Sequence, residues 1–94
     1  MLTDSGAVYT GISIHLSCGI GFCAEHSAIA AMLQGRETRI RKVVAVSKAG
    51  VIPPCGRCRE LMALVDTRNF ECEVILSNGT RTLSKLLPDH WTYP

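Results

Sequence analysis

An excess of charge of either sign is almost absent from this chain. Ten Lys and Arg stand against eight Asp and Glu over 94 residues, a net charge of +2, and so weak a field does not recruit nucleic acid or a membrane surface. Long apolar runs are lacking too. The longest, Ala28 to Leu33, falls far short of the roughly 20 residues that a spanning helix needs. Aromatic residues are scarce at 5%, yet 47% hydrophobic and 19% charged residues are the proportions of a folded domain and not of a disordered chain. The opening Met1-Leu2-Thr3-Asp4-Ser5-Gly6 lacks the basic-then-apolar pattern of a signal peptide. A cytoplasmic protein with one domain over residues 1–94 is the expectation. Five cysteines cannot all pair within the chain, and three lie in tight local patterns, so metal or redox chemistry is favoured over a disulfide framework.

What is present alternates between strand and helix signals. Ala7 to Ile14 carries Val8, Thr10, Ile12 and Ile14 at a period of two, which predicts a strand, with Asp4-Ser5-Gly6 as the turn before it and Leu2 as the stub of a preceding strand. His15 to Phe22 reads as a loop. Ala24 to Gln34 is apolar nearly all round and predicts a helix, with Gly35 as its stop. Val43-Val44-Ala45-Val46 shows no alternation and predicts a strand buried on both faces. After the extended Ile52-Pro53-Pro54, a second helix is expected from near Cys55 to about Val65, with Cys58, Leu61, Met62 and Val65 on its buried stripe and Glu60, Ala63 and Asp66 off it. Cys72, Val74 and Leu76 alternate along a strand, Asn78-Gly79 signals a hairpin, Thr80 to Leu83 returns, and Ser84 is placed to cap one helical turn ended by Pro88. This order predicts an α/β layered domain. The cluster Arg36, Arg39, Arg41 and Lys42 reads as a solvated connection and not as a nucleic-acid patch.

Two short patterns carry the chemistry. Cys23-Ala24-Glu25 opens the first helix, and Pro54-Cys55-Gly56-Arg57-Cys58 opens the second. Helix starts in a layered α/β domain meet at the carboxyl ends of the strands, where clefts form. Their free N–H groups favour thiolate over thiol. Three thiolates with a fourth position left open describe a catalytic zinc site, since structural sites usually supply four protein ligands. Cys23, Cys55 and Cys58 are then the ligands and Glu25 an acid/base outside the ligand set. Such a site carries net negative charge and needs cationic support, for which Arg59, Arg57 and His26 are the candidates. Two rival readings use the same residues differently. Adding Cys18 makes a closed four-thiolate structural zinc site, and Cys55-Gly56-Arg57-Cys58 alone makes a thioredoxin-like redox pair. Cys72 fits the buried face of a strand.

Cys23-Ala24-Glu25, Pro54-Cys55-Gly56-Arg57-Cys58-Arg59 and Leu86-Leu87-Pro88 resemble the cytidine deaminase superfamily, in its three-cysteine branch of cytidine deaminases and blasticidin S deaminase; the zinc-deaminase signature is a known one. The resemblance runs from Leu2 to Trp91. It implies a three-layer α/β/α sandwich with a mixed central sheet, and a zinc ion that activates water for attack on the amidine carbon of a cytosine-like ring. Glu25 would move the protons and ammonia would leave. The family holds the ribose through Asn and Glu in its second strand, where the matching positions here are Ser13 and His15. The substrate implied is thus a cytosine-like nucleoside or a related aminated heterocycle. Ala24 is a further candidate contact. Family members commonly carry Arg after the Glu to steady the thiolates; here it is His26, which leaves Arg59 as the expected neutralising group. An aromatic after Leu-Leu-Pro closes a neighbouring subunit's site in the family, and Trp91 matches it, so a homo-oligomer, tetramer or dimer, is expected. The family also has a helix and most of a first strand ahead of Leu2, so the domain is expected to be short at its amino end.

Overall fold

A computed structural model of the chain describes residues 1–93. In chain order the regular elements are β1 (Leu2–Thr3), β2 (Ile14–His15), β3 (Gly21–Phe22), α1 (Ala24–Gln34), β4 (Ile40–Ser47), β5 (Gly50–Ile52), α2 (Gly56–Val65), β6 (Glu73–Leu76) and β7 (Gly79–Thr82). Three 3-10 turns, Ser17–Gly19, Thr67–Glu71 and Leu83–Leu86, join them. The sheet is mixed. Its order is β1-β4-β6-β7, with β4 and β6 parallel, the other neighbours antiparallel, and β5 folded back on the end of β4. The fold is therefore α/β with two helices, and among the described residues no helix is long and apolar enough to cross a membrane.

The core explains which residues face which way. Ile29 and Met32 of α1 and Met62 and Ala63 of α2 meet Ile40, Val43, Val74 and Leu83 in one buried cluster. Leu2 stands opposite Lys42 but Thr3 opposite Ile40, so Arg41 is an extra residue in β4. That bulge lets Ile40 and Val43, three apart, share the core face. The other face of β4 stays open, with Val44 44% and Val46 70% exposed. The prediction of a strand buried on both faces is corrected, because both helices contribute to the same side. Ala63, expected off the buried stripe of α2, is 1% exposed.

The predicted strand from Ala7 to Ile14 does not form as one element. Its first part pairs with Met1–Thr3: the Thr3 amide donates to Ala7 O, the Met1 amine to Tyr9 O, and the Tyr9 amide to Met1 O. Between Tyr9 and Ile14 no ladder partner faces the chain among the described residues, and a strand without a ladder is not a strand. Ile14–His15 pairs instead with Gly21–Phe22, so the stretch from His15 to Phe22, expected as a loop, contains a small hairpin. Glu37 ties the first residues to the end of α1. Its carboxylate accepts from the hydroxyls of Thr3, Ser5 and Tyr9, and these bonds, that from Ser5 foremost, hold its pKa below the usual carboxylate value. Gly35 follows α1 as expected, but not in a left-handed conformation. That role falls to Arg36, φ 61°, while a Cβ at residue 35 would stand 2.2 Å from the Tyr9 hydroxyl. At the other hairpin the two-residue loop is Ser77-Asn78, with Gly79 already paired to Leu76. Ser84 lies inside its 3-10 turn and bonds the Thr82 hydroxyl, so it is not the cap.

Asn69 is the least expected structural residue. Fully buried, it accepts from the Ile40 amide at 2.7 Å and donates to Thr38 O and Met62 O at 2.9 Å each. One side chain thereby joins the end of α2 to the start of β4. Asn69→Ala leaves three backbone groups without partners, at roughly 1–3 kcal/mol for each group that water cannot reach. The expected loss is about 3 kcal/mol, read as a lower urea midpoint with an unchanged slope.

Candidate active site

Cys23 and Cys55 occupy the same position on two different helices. Each is the residue before its helix, extended at φ −71°, ψ 154° and φ −69°, ψ 167°. An extended residue at that position turns its side chain away from the helix path, which leaves both thiols available to a shared point. Cys58, in the first turn of α2, is fully buried behind them. The Sγ atoms of Cys23 and Cys55 lie 3.6 Å apart and those of Cys55 and Cys58 3.5 Å apart. All three sulfurs fall within 4.8 Å of one another, the one such cluster among the described residues.

The thiols differ in how readily they ionise. Cys55 is held below its ordinary value, chiefly by the backbone N–H of Cys58. Cys23 is raised, first by sharing its contact with Cys55. The Cys23–Cys55 contact thus helps one thiol and hinders the other, as expected when Cys55 has amide donors and takes the first charge. Burial pushes Cys58 far up. Three thiolates cannot coexist at this spacing without a cation, and a divalent ion that prefers sulfur is the group that such a donor set fits.

Beside the thiols lies a cleft of about 730 Å³ walled by Ser13, His15, Cys23, Ala24, Glu25 and Cys55. Gly11 makes this possible. A Cβ there would stand 2.5 Å from Ala24 O and from Ala28 N, so only glycine lets the segment from Thr10 to His15 lie directly on the start of α1. Val44 and Val46 line the cleft farther out. Gly11 did not stand out in the sequence, because glycine spacing does not report a backbone contact, and Val44 and Val46 were expected to be buried.

The structure separates the remaining candidates. His26 lies in contact with the cluster, Nδ1 3.4 Å from Cys58 Sγ. Arg59, expected to neutralise the thiolates, instead donates through Nε to Pro54 O at 2.7 Å and through Nη1 to Leu86 O at 3.2 Å. Its place as i+4 to Cys55 turns it toward the carboxyl-terminal turn, so it braces the entry to α2. Arg57 is exposed. Cys18 is exposed in the turn of the β2–β3 hairpin, outside the three-thiol cluster, and Cys72 is buried beneath the sheet, its thiol raised by desolvation to about 11. Trp91 does not line the cleft; it is 72% exposed and donates from Nε1 to Glu60 at 2.8 Å.

No protein-family model matches the chain. Individual proteins do. The cytidine deaminase of Halalkalibacterium halodurans is 32% identical over 97 aligned residues, which take in 98% of this chain and 74% of that protein. Among solved structures, cytidine deaminase from Mycobacterium leprae superimposes with a TM-score of 0.84 at 30% identity, covering 94% of this chain and 74% of that one. That from Mycobacterium tuberculosis gives 0.87 at 28% identity, covering 98% and 75%.

Proposed function

This chain belongs to the cytidine deaminase family, and on that premise we propose that it hydrolyses the amino group from a cytosine-like nucleoside or a related aminated heterocycle, releasing ammonia. The observation that carries the reading is the convergence of Cys23, Cys55 and Cys58 on one point, beside a cleft that Glu25 also lines. The three thiolates would hold one zinc ion, which when bound supplies Lewis acidity that brings the pKa of water down toward about 7. Glu25 takes one proton from the attacking water and gives it to the ring nitrogen, then takes the second proton from the hydroxyl so formed on the ring carbon and gives it to the amino group, which leaves as ammonia. Its backbone sits in the first turn of α1, two residues after Cys23, and its side chain lines the cleft. Ser13 and His15, which also line the cleft, would meet the sugar or whatever group replaces it. Ammonia release measured across cytosine nucleosides, free aminated bases and blasticidin-like compounds tests the reading. Turnover of any of them in the zinc-loaded protein supports it, and none from the whole set overturns it.

The same reading includes assembly and a cytoplasmic location, the latter supported by an odd number of cysteines with three in one cluster. The oligomer, at least a dimer, is supported by the uncovered part of the apolar helix α1: Ala28, Ile29 and Met32 are buried, but Ala30 and Leu33 are exposed. Burying such a face against a copy of itself is the simplest way to cover it. Trp91, exposed and braced by Glu60, would then cover a neighbour's cleft. Trp91→Ala is expected to raise KM about 3- to 10-fold, the worth of one aromatic contact, with zinc content unchanged. A monomer in sedimentation equilibrium at micromolar concentration would overturn the assembly and with it this role.

A further inference from the structure

The three sulfurs do not share equally in hydrogen bonds. Cys55 receives backbone N–H groups of Cys58 and Arg57. Cys23, at the mouth of the cleft, is partly exposed. Cys58 is the buried one, 0% exposed, with the other two thiols and a single further polar partner, Nδ1 of His26 at 3.4 Å. A buried thiolate among apolar side chains is unfavourable unless a donor faces it. We infer that His26 is a positioning residue for the metal, donating its Nδ1–H to the Cys58 sulfur and so fixing the orientation of that ligand and the tightness with which the three-thiol cluster holds its ion.

The fold prepares this contact from both sides. His26 sits three residues after Cys23 and its amide donates to Cys23 O at 3.0 Å, so the imidazole is fixed to the helix start that carries one ligand while its ring reaches a ligand on the other helix. Only the tautomer with hydrogen on Nδ1 makes the approach to an anionic sulfur attractive, so the contact itself selects that tautomer. No arginine substitutes for it, since the hydrogen bonds of Arg59 go to Pro54 O and Leu86 O. A donor facing a ligand atom typically changes metal affinity by about 10- to 100-fold.

The inference rests on the proposed metal site, and the experiment keeps the two apart. Zinc affinity is measured by competition with a chromophoric chelator, and the sulfur-to-metal charge-transfer band is recorded with Co²⁺, for the wild type, His26→Ala and His26→Asn. The Asn side chain carries an N–H close to the position of Nδ1. His26→Ala is expected to bind zinc about 10- to 100-fold more weakly and to move the Co²⁺ band to longer wavelength, because a thiolate without its donor gives up electron density more easily. His26→Asn is expected to restore both. Wild-type zinc affinity in His26→Ala overturns the inference while leaving the metal site standing. So does an Asn variant that unfolds at the wild-type temperature yet binds zinc as weakly as the Ala variant. A wild type that binds no zinc overturns both the site and the inference.

Discussion

Glu25→Gln is expected to leave the zinc content at one ion per chain and to lower kcat by at least about 10³-fold, measured as ammonia release on whichever substrate the screen identifies. Glutamine keeps the length and shape of the side chain, and nothing else in the site depends on the carboxylate: the three thiols are placed by the starts of two helices, and the Cys58 sulfur faces His26. What the substitution removes is the ability to take and return a proton. General acid–base catalysis contributes about 10²–10⁴-fold where it serves one proton transfer, and here one group serves the water, the ring nitrogen and the leaving amine in turn. The loss therefore belongs near the top of that range or beyond it. Since Gln binds a neutral ring as well as Glu does, KM should change far less than kcat. Zinc retained with full activity would sink the role of Glu25, and zinc lost would mean that the carboxylate is a ligand.

The parts of this site that could be read without coordinates are those written in consecutive residues. Cys23-Ala24-Glu25 and Cys55-Gly56-Arg57-Cys58 mark two helix starts, and helix α1 spans Ala24–Gln34 as its apolar run and flanking glycine imply. Convergence of the three sulfurs followed from topology, because the starts of both crossover helices lie at one end of the sheet. What escaped was set by contacts distant in sequence. Val8, Thr10, Ile12 and Ile14 alternate as a strand does, but alternation describes a side-chain pattern and not a partner, and between Tyr9 and Ile14 the described residues offer none. Val44 and Val46 read as interior because β-branched runs usually are, yet a run of apolar residues cannot say on which side the helices lie. Asn69 gives no signal at all: its three bonds reach Thr38, Ile40 and Met62, and nothing in its local sequence distinguishes it from a surface asparagine. His26 and Arg59 both stand within a turn of a ligand, and the sequence favoured Arg59; the side-chain directions differ, with Nδ1 of His26 facing Cys58 Sγ and Arg59 bonded to Pro54 O and Leu86 O.

Cys55→Ser is expected to abolish stoichiometric zinc binding, while Cys18→Ser keeps one zinc per chain. Cys55 is the middle sulfur, 3.6 Å from Cys23 and 3.5 Å from Cys58, and it is the thiol that the backbone N–H groups of α2 hold below its ordinary pKa. A serine hydroxyl does not ionise near neutrality, so the substitution removes both a ligand and the negative charge most easily formed in the cluster. The zinc that remains would face two sulfurs, one of them the buried Cys58 whose thiol burial pushes far up. Because ligand deprotonation is coupled to metal binding, losing the readily ionised thiol weakens the site more than losing one bond. Cys18 stands apart. It is exposed, in the left-handed region at φ 64° on the turn between β2 and β3, and serine fills that place without touching the cluster. Elemental analysis of the two purified variants, each with its unfolding temperature measured with and without a chelator, separates the cases. The wild type and Cys18→Ser should lose stability when the chelator strips the ion that joins the starts of α1 and α2, and Cys55→Ser should not respond. Zinc lost from Cys18→Ser would establish a four-thiolate structural site and remove the open position that hydrolysis requires.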